Sequence, residues 1–331
     1  MSEFRQDIVN KNWVLIAEGR GSRPDDFKKN QATPPDLPER ELTCEFCPGN
    51  ERLTPVEIGR YPKQGEWQIR VVPNKYEAVG HALGREYEEF YTSRPGSGDH
   101  EVVINREHNK YLALQDIAMI DLTLRVYIDR INELKKHEEI HYVHIIQNHG
   151  RQAGASIMHP HSQILAIPFL PDRLQDELLG TRRYWSAHGE CVFCQMIAYE
   201  LAQDERIVID TPYFLVLAPY ASKMPFEMHI LPKTHRSSFQ DIPAAERQAL
   251  AEVMKAVFSR LNNRMLNPAY NYYFHTLPFG EKIASKSFDD RQSYHWHIVI
   301  LPRVNIWAGF ELGTEVYVNP MPPERAAKFF H

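Results

Sequence analysis

Asn148-His149-Gly150-Arg151-Gln152-Ala153-Gly154-Ala155-Ser156-Ile157-Met158-His159-Pro160-His161-Ser162-Gln163-Ile164-Leu165-Ala166-Ile167-Pro168 is the most informative segment of the chain. It opens as a loop of small and amide residues, passes through His-Pro-His-Ser-Gln and runs into a short apolar segment of strand-like composition closed by proline. A donor-rich loop beside a strand end is suited to holding an anion. In a regular strand residues i and i+2 share a face, so His159, His161 and Gln163 would look the same way. Three polar side chains on one face are costly unless they meet a ligand or a metal.

The residue types point to phosphoryl or nucleotidyl chemistry. Imidazole is partly unprotonated near neutral pH and attacks phosphorus to give a phosphoramidate, which passes its group to a second acceptor. His161 is the expected nucleophile, with metal ligation as its alternative role. Gln163 cannot give up a proton to a poor leaving group, but its amide N–H can hold a non-bridging phosphoryl oxygen. That favours transfer between phosphates over amide cleavage.

Working outward, the same ordered plan occurs twice. Cys44-Glu45-Phe46-Cys47 precedes a strand, Glu101 to His108, that ends in histidine. A helix opened by Gln115-Asp116-Ile117 then runs to about Lys136, and a strand covers His141 to Gln147 before the His-Pro-His element. Cys191-Val192-Phe193-Cys194 precedes the strand Glu227 to His235, a helix opened by Gln240-Asp241-Ile242 running to about Asn262, the strand Tyr270 to His275, and then Tyr294-His295-Trp296-His297 leading to Pro302. So many features in one order signal an internal repeat. The junction is Pro168-Phe169-Leu170-Pro171-Asp172, which divides the chain into 1–170 and 171–331. Strands and helices in this order predict an α+β fold with mainly antiparallel sheets. Phe279 to Gln292 reads as a long loop, and Gln31 to Pro38 as a connector.

The four cysteines form only these two pairs, a spacing that fits half a zinc site or a redox dithiol. Adding histidines at equivalent points of the repeat gives two Cys2His2 sets, Cys44, Cys47, His108, His159 and Cys191, Cys194, His235, His295, with His297 as an alternative to His295. Four N and S ligands imply closed, structural Zn²⁺ sites. Counting back from Pro168 and Pro302 aligns His295 with His161. His81, His100, His141, His149 and His188 receive no role, although His149 lies within the anion loop.

At 331 residues, with a formal charge of −5 and a pI near 6.4, the chain does not suit a nucleic-acid binder with a broad basic face. No apolar run approaches a membrane span, and Met1-Ser2-Glu3-Phe4-Arg5-Gln6 does not read as a signal peptide. A soluble cytoplasmic protein is expected.

Asn148 through Gln163 resembles the Asn-x-Gly…Gly-x-Ser…His-Pro-His-x-Gln signature of the galactose-1-phosphate uridylyltransferase family, within the histidine-triad superfamily, and the similarity extends over nearly the whole chain. The resemblance implies two fused histidine-triad-like halves, a homodimer and double displacement through a uridylylated histidine. His161 would take UMP from UDP-glucose, releasing glucose 1-phosphate, and pass it to galactose 1-phosphate. Gln163 would hold the α-phosphoryl oxygens, with Asn148, Gly154, Ala155 and Ser156 in the phosphate loop. Asn74 resembles a nucleotide-contacting asparagine. Arg20 and Arg23, in Arg-Gly-Ser-Arg-Pro, resemble a motif that reaches substrate phosphate across the dimer. Two features depart from the pattern. A cysteine pair stands where many members use a carboxylate and histidines at the second metal site, implying that a structural zinc replaces that arrangement. The hexose-contacting loop Ala308 to Thr314 carries Phe310-Glu311 where tyrosine commonly precedes the glutamate, and with Tyr317-Val318-Asn319-Pro320 it also resembles ADP-sugar phosphorylases, in which inorganic phosphate is the acceptor. A non-catalytic, zinc-stabilised nucleotide-binding protein is the reading from another class.

Overall fold

Strand pairing joins the two repeats edge to edge. The computed structural model describes residues 2–18, 37–80, 90–91, 93–279 and 288–331. The first half supplies β3 (Gly59–Tyr61), β4 (Ile69–Pro73), β5 (Asp99–Asn105), β6 (Tyr142–His149) and β7 (His161–Ile167). The second supplies β8 (Ile207–Asp210), β9 (Phe214–Leu217), β10 (Met228–Pro232), β11 (Tyr270–His275) and β12 (His297–Pro302). They form one ten-stranded sheet in the order β3-β4-β5-β7-β6-β11-β12-β10-β9-β8, with antiparallel neighbours. Read outward from the central β6–β11 pair, the two halves have the same strand order, so an approximate twofold passes between them. The fold is α+β and mainly antiparallel, as the repeat predicts. A small second sheet pairs β1 (Ser2–Gln6) with β2 (Trp13–Ala17), and β2 in parallel with β13 (Tyr317–Asn319), bringing the two ends of the described chain together.

Alternation along β7 decides what faces what. Ser162, Ile164 and Ala166 are buried, while His161, Gln163 and Leu165 on the other face are only half-buried. The buried face is covered by two amphipathic helices, α1 (Ile117–Leu134) and, beyond α2 (Asp172–His188) and α3 (Val192–Gln203), α4 (Ala244–Met265). Leu124, Tyr127 and Ile131 from α1, with Val257, Phe258 and Leu261 from α4, share a core with Ile164, Tyr272, Phe274, Ile298 and Ile300. One sheet face is thereby sealed, and the histidines project from the other.

Several boundaries differ from the sequence reading. α1 begins at Ile117, behind an Asp116 N-cap, and α4 begins at Ala244, behind Pro243. Proline suits the start of a helix because its fixed φ is compatible and its missing N–H is not needed there. Gln240-Asp241 falls instead in a 3-10 turn, Phe239–Asp241. α2 was not expected, although Leu174 and Leu178 bury one face at i, i+4 spacing. Ala308 to Thr314 is not a loop: α5 (Gly309–Thr314) is a short helix capped by the Glu311 carboxylate, which accepts from the Ala308 N–H at 3.0 Å. α6 (Pro323–Phe330) closes the described chain. Of the Phe279 to Gln292 stretch, Asp290–Gln292 form a 3-10 turn, and 280–287 lie outside the described residues, as do 31–36 of the expected connector. Among the described residues no helix is long and apolar enough to cross a membrane.

Candidate active site and metal clusters

His161 is the first residue of β7, and its neighbours settle which of its nitrogens is free. Nδ1 lies 2.8 Å from the carbonyl oxygen of His159. A carbonyl only accepts, so Nδ1 carries the proton and Nε2 keeps its lone pair. Burial lowers the pKa of the ring, against the opposing pull of that carbonyl. Phe46, from between the first pair of cysteines, packs edge-on against the ring at 5.2 Å between centroids. His159 does not share the face of His161. It precedes the strand, separated from it by Pro160, and its ring is fully buried against the cysteines. The same-face expectation therefore holds for His161 and Gln163 and is corrected for His159.

Both Cys2His2 sets converge. In each, one donor atom per residue lies within 4.8 Å of the others, as a group that could hold a metal ion requires. In the first, Cys47 Sγ is 3.3 Å from His108 Nδ1 and 3.6 Å from His159 Nδ1, Cys44 Sγ is 3.6 Å from His159 Nδ1, and the two Nδ1 atoms are 3.2 Å apart. A tetrahedral Zn²⁺ with ordinary bond lengths separates S from N by about 3.6 Å and N from N by about 3.3 Å. In the second, Cys194 Sγ is 3.4 Å from His235 Nδ1 and 3.7 Å from His295 Nδ1, while Cys191 Sγ is 3.9 Å from His295 Nδ1. Outer contacts fix the tautomers: His159 Nε2 donates to Asn105 O, His295 Nε2 to Pro232 O and His235 Nε2 to Arg291 O, leaving each Nδ1 lone pair inward. Burial, with Cys47 beside it, pushes the Cys44 thiol up to about 11. In the second set the hydrogen bond between the thiols pulls Cys191 far down and Cys194 far up, so the two do not ionise together unaided. A dication relieves this conflict, and the residues fit one.

The choice between His295 and His297 is decided by position. His295 joins the cysteines, and His297 opens β12 as His161 opens β7, with Nδ1 3.1 Å from the His295 carbonyl. His297 is therefore the counterpart of His161, correcting the alignment by prolines, which fails because β7 and β12 differ in length. Phe193 packs against His297 at 4.9 Å between centroids, in the place Phe46 takes beside His161 but with the rings tilted rather than edge-on. Beside it, Glu177, His275 and His297 form a third cluster that could hold a metal ion, with Glu177 Oε2 2.8 Å from His275 Nδ1 and Oε1 accepting from Tyr294. The cysteine pair thus stands next to a carboxylate–histidine cluster rather than replacing it.

Around His161 the remaining residues come from β5, β6 and β11, from the segment after β4 and from the turn between β6 and β7. The loop returning from β6 to β7 holds Gly150 at φ 80°, ψ 154°, and a Cβ there would meet Ala269 Cβ at 2.9 Å. Only glycine fits. Gly154, at φ 87°, and Ser156 are exposed, and Ala155 is buried. Asn148 Oδ1 accepts from Asn271 Nδ2 at 2.7 Å, and the same amide reaches Ala153 O at 2.8 Å. From β5, His100 Nε2 lies 2.7 Å from Gln163 Oε1. Asn74 follows β4, with its Oδ1 held by the Tyr76 N–H and its Nδ2 3.1 Å from His100 Nε2.

The defining pattern of the galactose-1-phosphate uridyl transferase N-terminal domain matches residues 1–171, and that of a domain of unknown function matches 91–328. An ADP-glucose phosphorylase from Arabidopsis thaliana is 34% identical over 98% of this chain and 91% of its own length. The chain belongs to the galactose-1-phosphate uridylyltransferase family. It is accordingly an enzyme of the nucleotidyltransferase class. A galactose-1-phosphate uridylyltransferase from Thermotoga maritima is 27% identical over 99% of this chain and 97% of its own. Among solved structures, an ADP-glucose phosphorylase from Arabidopsis thaliana with bound ADP-glucose superposes with a TM-score of 0.84 at 30% identity, covering 100% of this chain and 98% of that one. A uridylyltransferase superposes at 0.76 with 25% identity, covering 100% and 97%.

Within this uridylyltransferase-family fold, His161, Gln163, Asn74 and the 148–156 loop gather at one end of β7. Phe310 and Glu311 do not join them through any contact described above: α5 packs on β13, in the small sheet, where Glu311 is buried as a helix cap and Phe310 is half exposed. Arg20 and Arg23 lie outside the described residues. Sequence reasoning missed Phe46, His100, Asn271 and the Glu177 cluster. Phe46 had a readable signal, since phenylalanine recurs at the same place in the second cysteine pair. The others are isolated in sequence and meet only through strand pairing or, for Glu177, through a helix packed against the sheet.

Proposed function

We propose that the chain transfers a nucleotidyl group from a nucleoside diphosphate sugar through a covalent intermediate on His161. The observation that carries this is the lone pair on His161 Nε2, left outside all three candidate metal clusters and beside Gln163. Nε2 attacks the α-phosphorus, the bond from that phosphorus to the bridging oxygen breaks, and the sugar 1-phosphate leaves with its electrons. The imidazolium shares its charge with the His159 carbonyl through Nδ1–H. An acceptor phosphate oxygen then attacks the phosphorus and the P–N bond breaks, restoring the ring. Gln163 Nε2 and the 148–156 loop hold the phosphoryl oxygens, and Asn74 contacts the nucleotide. The Cys2His2 sets hold structural zinc, which fixes the turn before His161.

The first reading of the substrate is ADP-glucose with inorganic phosphate as acceptor, giving glucose 1-phosphate and ADP. The full-length similarity to a protein of that name and the Phe310-Glu311 pair support it. The second is UDP-glucose with galactose 1-phosphate, supported by the family pattern over residues 1–171. Residues 1–170 are read as the catalytic half and 171–331 as its non-catalytic twin, a division supported by Val299 standing where Gln163 stands. Arg20 and Arg23 are assigned to substrate phosphate across a homodimer, and Phe310 and Glu311 to the sugar.

Intact-mass measurement after mixing with ADP-glucose or UDP-glucose tests the reading. A gain of one adenylyl group, lost in His161→Gly, is expected. A gain only from UDP-glucose selects the second substrate, and no adduct from either sinks the transfer mechanism.

A further inference from the structure

Two carboxamides in the proposed site, Gln163 and Asn148, have their orientation dictated by groups behind them. For Gln163 the chain of reasoning starts at a backbone group whose polarity is fixed. The Ala78 N–H donates to His100 Nδ1 at 3.1 Å. That nitrogen is therefore the unprotonated one, and a neutral imidazole then carries its proton on Nε2. Nε2–H faces Gln163 at 2.7 Å, so the atom it meets must be the amide oxygen. Asn74 Nδ2, at 3.1 Å from the same ring nitrogen, is a second donor and makes no bond with it. The Gln163 NH2 is thus turned away from His100, and Gln163 shares its face of β7 with His161.

Asn148 is fixed in the same manner from the other side. Ala153 O can only accept, so the Asn271 atom at 2.8 Å is its NH2. That NH2 also faces Asn148 at 2.7 Å, which must present its oxygen there and turn its own NH2 outward. Asn271 sits on β11, in the second half of the chain, whereas His100 sits on β5 and is 7% exposed. Each is held by one backbone group, Ala78 N–H for His100 and Ala153 O for Asn271, and directs a donor at one amide oxygen of the site.

The geometry points to His100 and Asn271 as positioning residues that polarise the site's two carboxamides, so that both present N–H donors to the phosphoryl group of the substrate. This rests on the nucleotidyl-transfer reading above. A Gln163 amide rotated by half a turn would instead present its oxygen to a phosphoryl oxygen and repel it, with no change of shape.

Single-turnover adduct formation on the zinc-replete full chain tests the assignment by a double-mutant cycle. Gln163→Ala and His100→Phe are each expected to slow nucleotidylation of His161 by roughly 10²–10³-fold, the usual loss of one such donor, with little change in nucleotide-sugar affinity. The double variant is expected to be no slower than either single. A His100→Phe rate equal to that of the parent, or effects that multiply in the double variant, would overturn the role. Asn271→Asp, which replaces the donor by an oxygen of the same shape, is expected to slow the step, and wild-type speed would remove Asn271 from the proposal. Histidine ¹⁵N spectra of the unmutated protein decide the matter even if His100→Phe does not fold or no adduct forms with any nucleotide sugar. A protonated Nε2 and bare Nδ1 on His100 are required, and the opposite tautomer refutes the device. Absence of any adduct with the required tautomer present refutes the transfer reading alone.

Discussion

Ser162 sits between His161 and Gln163, yet it faces the helices, and that placement makes a sharp prediction for Tyr127→Phe. The Tyr127 hydroxyl on α1 donates to Ser162 Oγ at 2.7 Å and lies 3.0 Å from the Tyr272 hydroxyl on β11. All three residues are 3% exposed or less. Phenylalanine keeps the ring packing but strands two buried hydroxyls at about 1–3 kcal/mol each. The serine can turn toward a nearby carbonyl, so the expected loss is about 2–4 kcal/mol in urea unfolding followed by tryptophan fluorescence. Adding Ser162→Ala removes one of the stranded groups, and the double variant is expected to be more stable than the sum of the singles by about 1 kcal/mol or more. Adduct formation on His161 below the unfolding range is expected to be unchanged in Tyr127→Phe, because the hydroxyl chain lies on the opposite sheet face. Additivity within about 0.5 kcal/mol, or a collapse of labelling in a folded Tyr127→Phe, would refute the two-faced reading of the signature strand.

Glu324 on α6 joins both ends of the chain, at 2.8 Å from Arg5 and 3.0 Å from Arg206, which is 5% exposed. Burial pushes its carboxyl up, but hydrogen bonds led by that from Arg5 outweigh this and hold it below the usual range. The stabilisation is therefore complete above the ordinary carboxylate pKa and lost as pH falls through the depressed one. Glu324→Gln is expected to cost about 1–3 kcal/mol near neutrality, with the gap to the parent closing in acid, and a gap independent of pH would contradict it. A strong chelator is expected to release two zinc ions per chain, read by elemental analysis, and to lower the unfolding midpoint. Metal-free protein with an unchanged midpoint would dismiss both structural sites. Val299→Gln in a His161→Gly background is expected to give no adduct on His297, checked by peptide mass mapping.

The repeat made the α+β class legible, because Cys-x-x-Cys, strand, helix, strand and His-x-His recur in one order and each copy must fold alike. Both cysteine–histidine sets were readable for the same reason. Less was visible where a position's meaning depends on an exact register. The proline count misassigned His295 because β7 runs to Ile167 and β12 stops at Pro302, a difference in strand length that composition does not show. β4 was missed since Ile69 to Val72 is buried on both faces and carries no alternation. His100 and Asn271 were invisible because their partners lie 63 and 123 residues away, across strand pairs. Phe310 and Glu311 are recognisable as a motif, but where that motif sits is set by β13 pairing with β2 from the start of the chain.

Under the proposed mechanism, duplication raises the question of why one half alone should carry the chemistry. Strand register answers it position by position. Val102 pairs with Gln163 and His229 with Val299, so Glu227 stands where His100 stands. Ile146 pairs with Gln163 and Tyr273 with Val299, so His275 stands where Asn148 stands. The first half thus surrounds its imidazole with neutral groups whose donors can point at a phosphoryl oxygen. The second surrounds His297 with the carboxylates of Glu177 and Glu227, the first bonded to His275 and the second to His229. Burial also drives the His297 pKa down to about 3, so near neutrality that ring brings no positive charge to offset them. Arg173 and Lys223 lie close enough to feel both carboxylates and offset part of their charge, but Glu177 and Glu227 still present oxygens, which only accept, where the first half presents groups that can donate to a phosphoryl oxygen. Changing Val299 alone restores one amide but leaves those carboxylates in place, so the two halves differ by more than the missing glutamine.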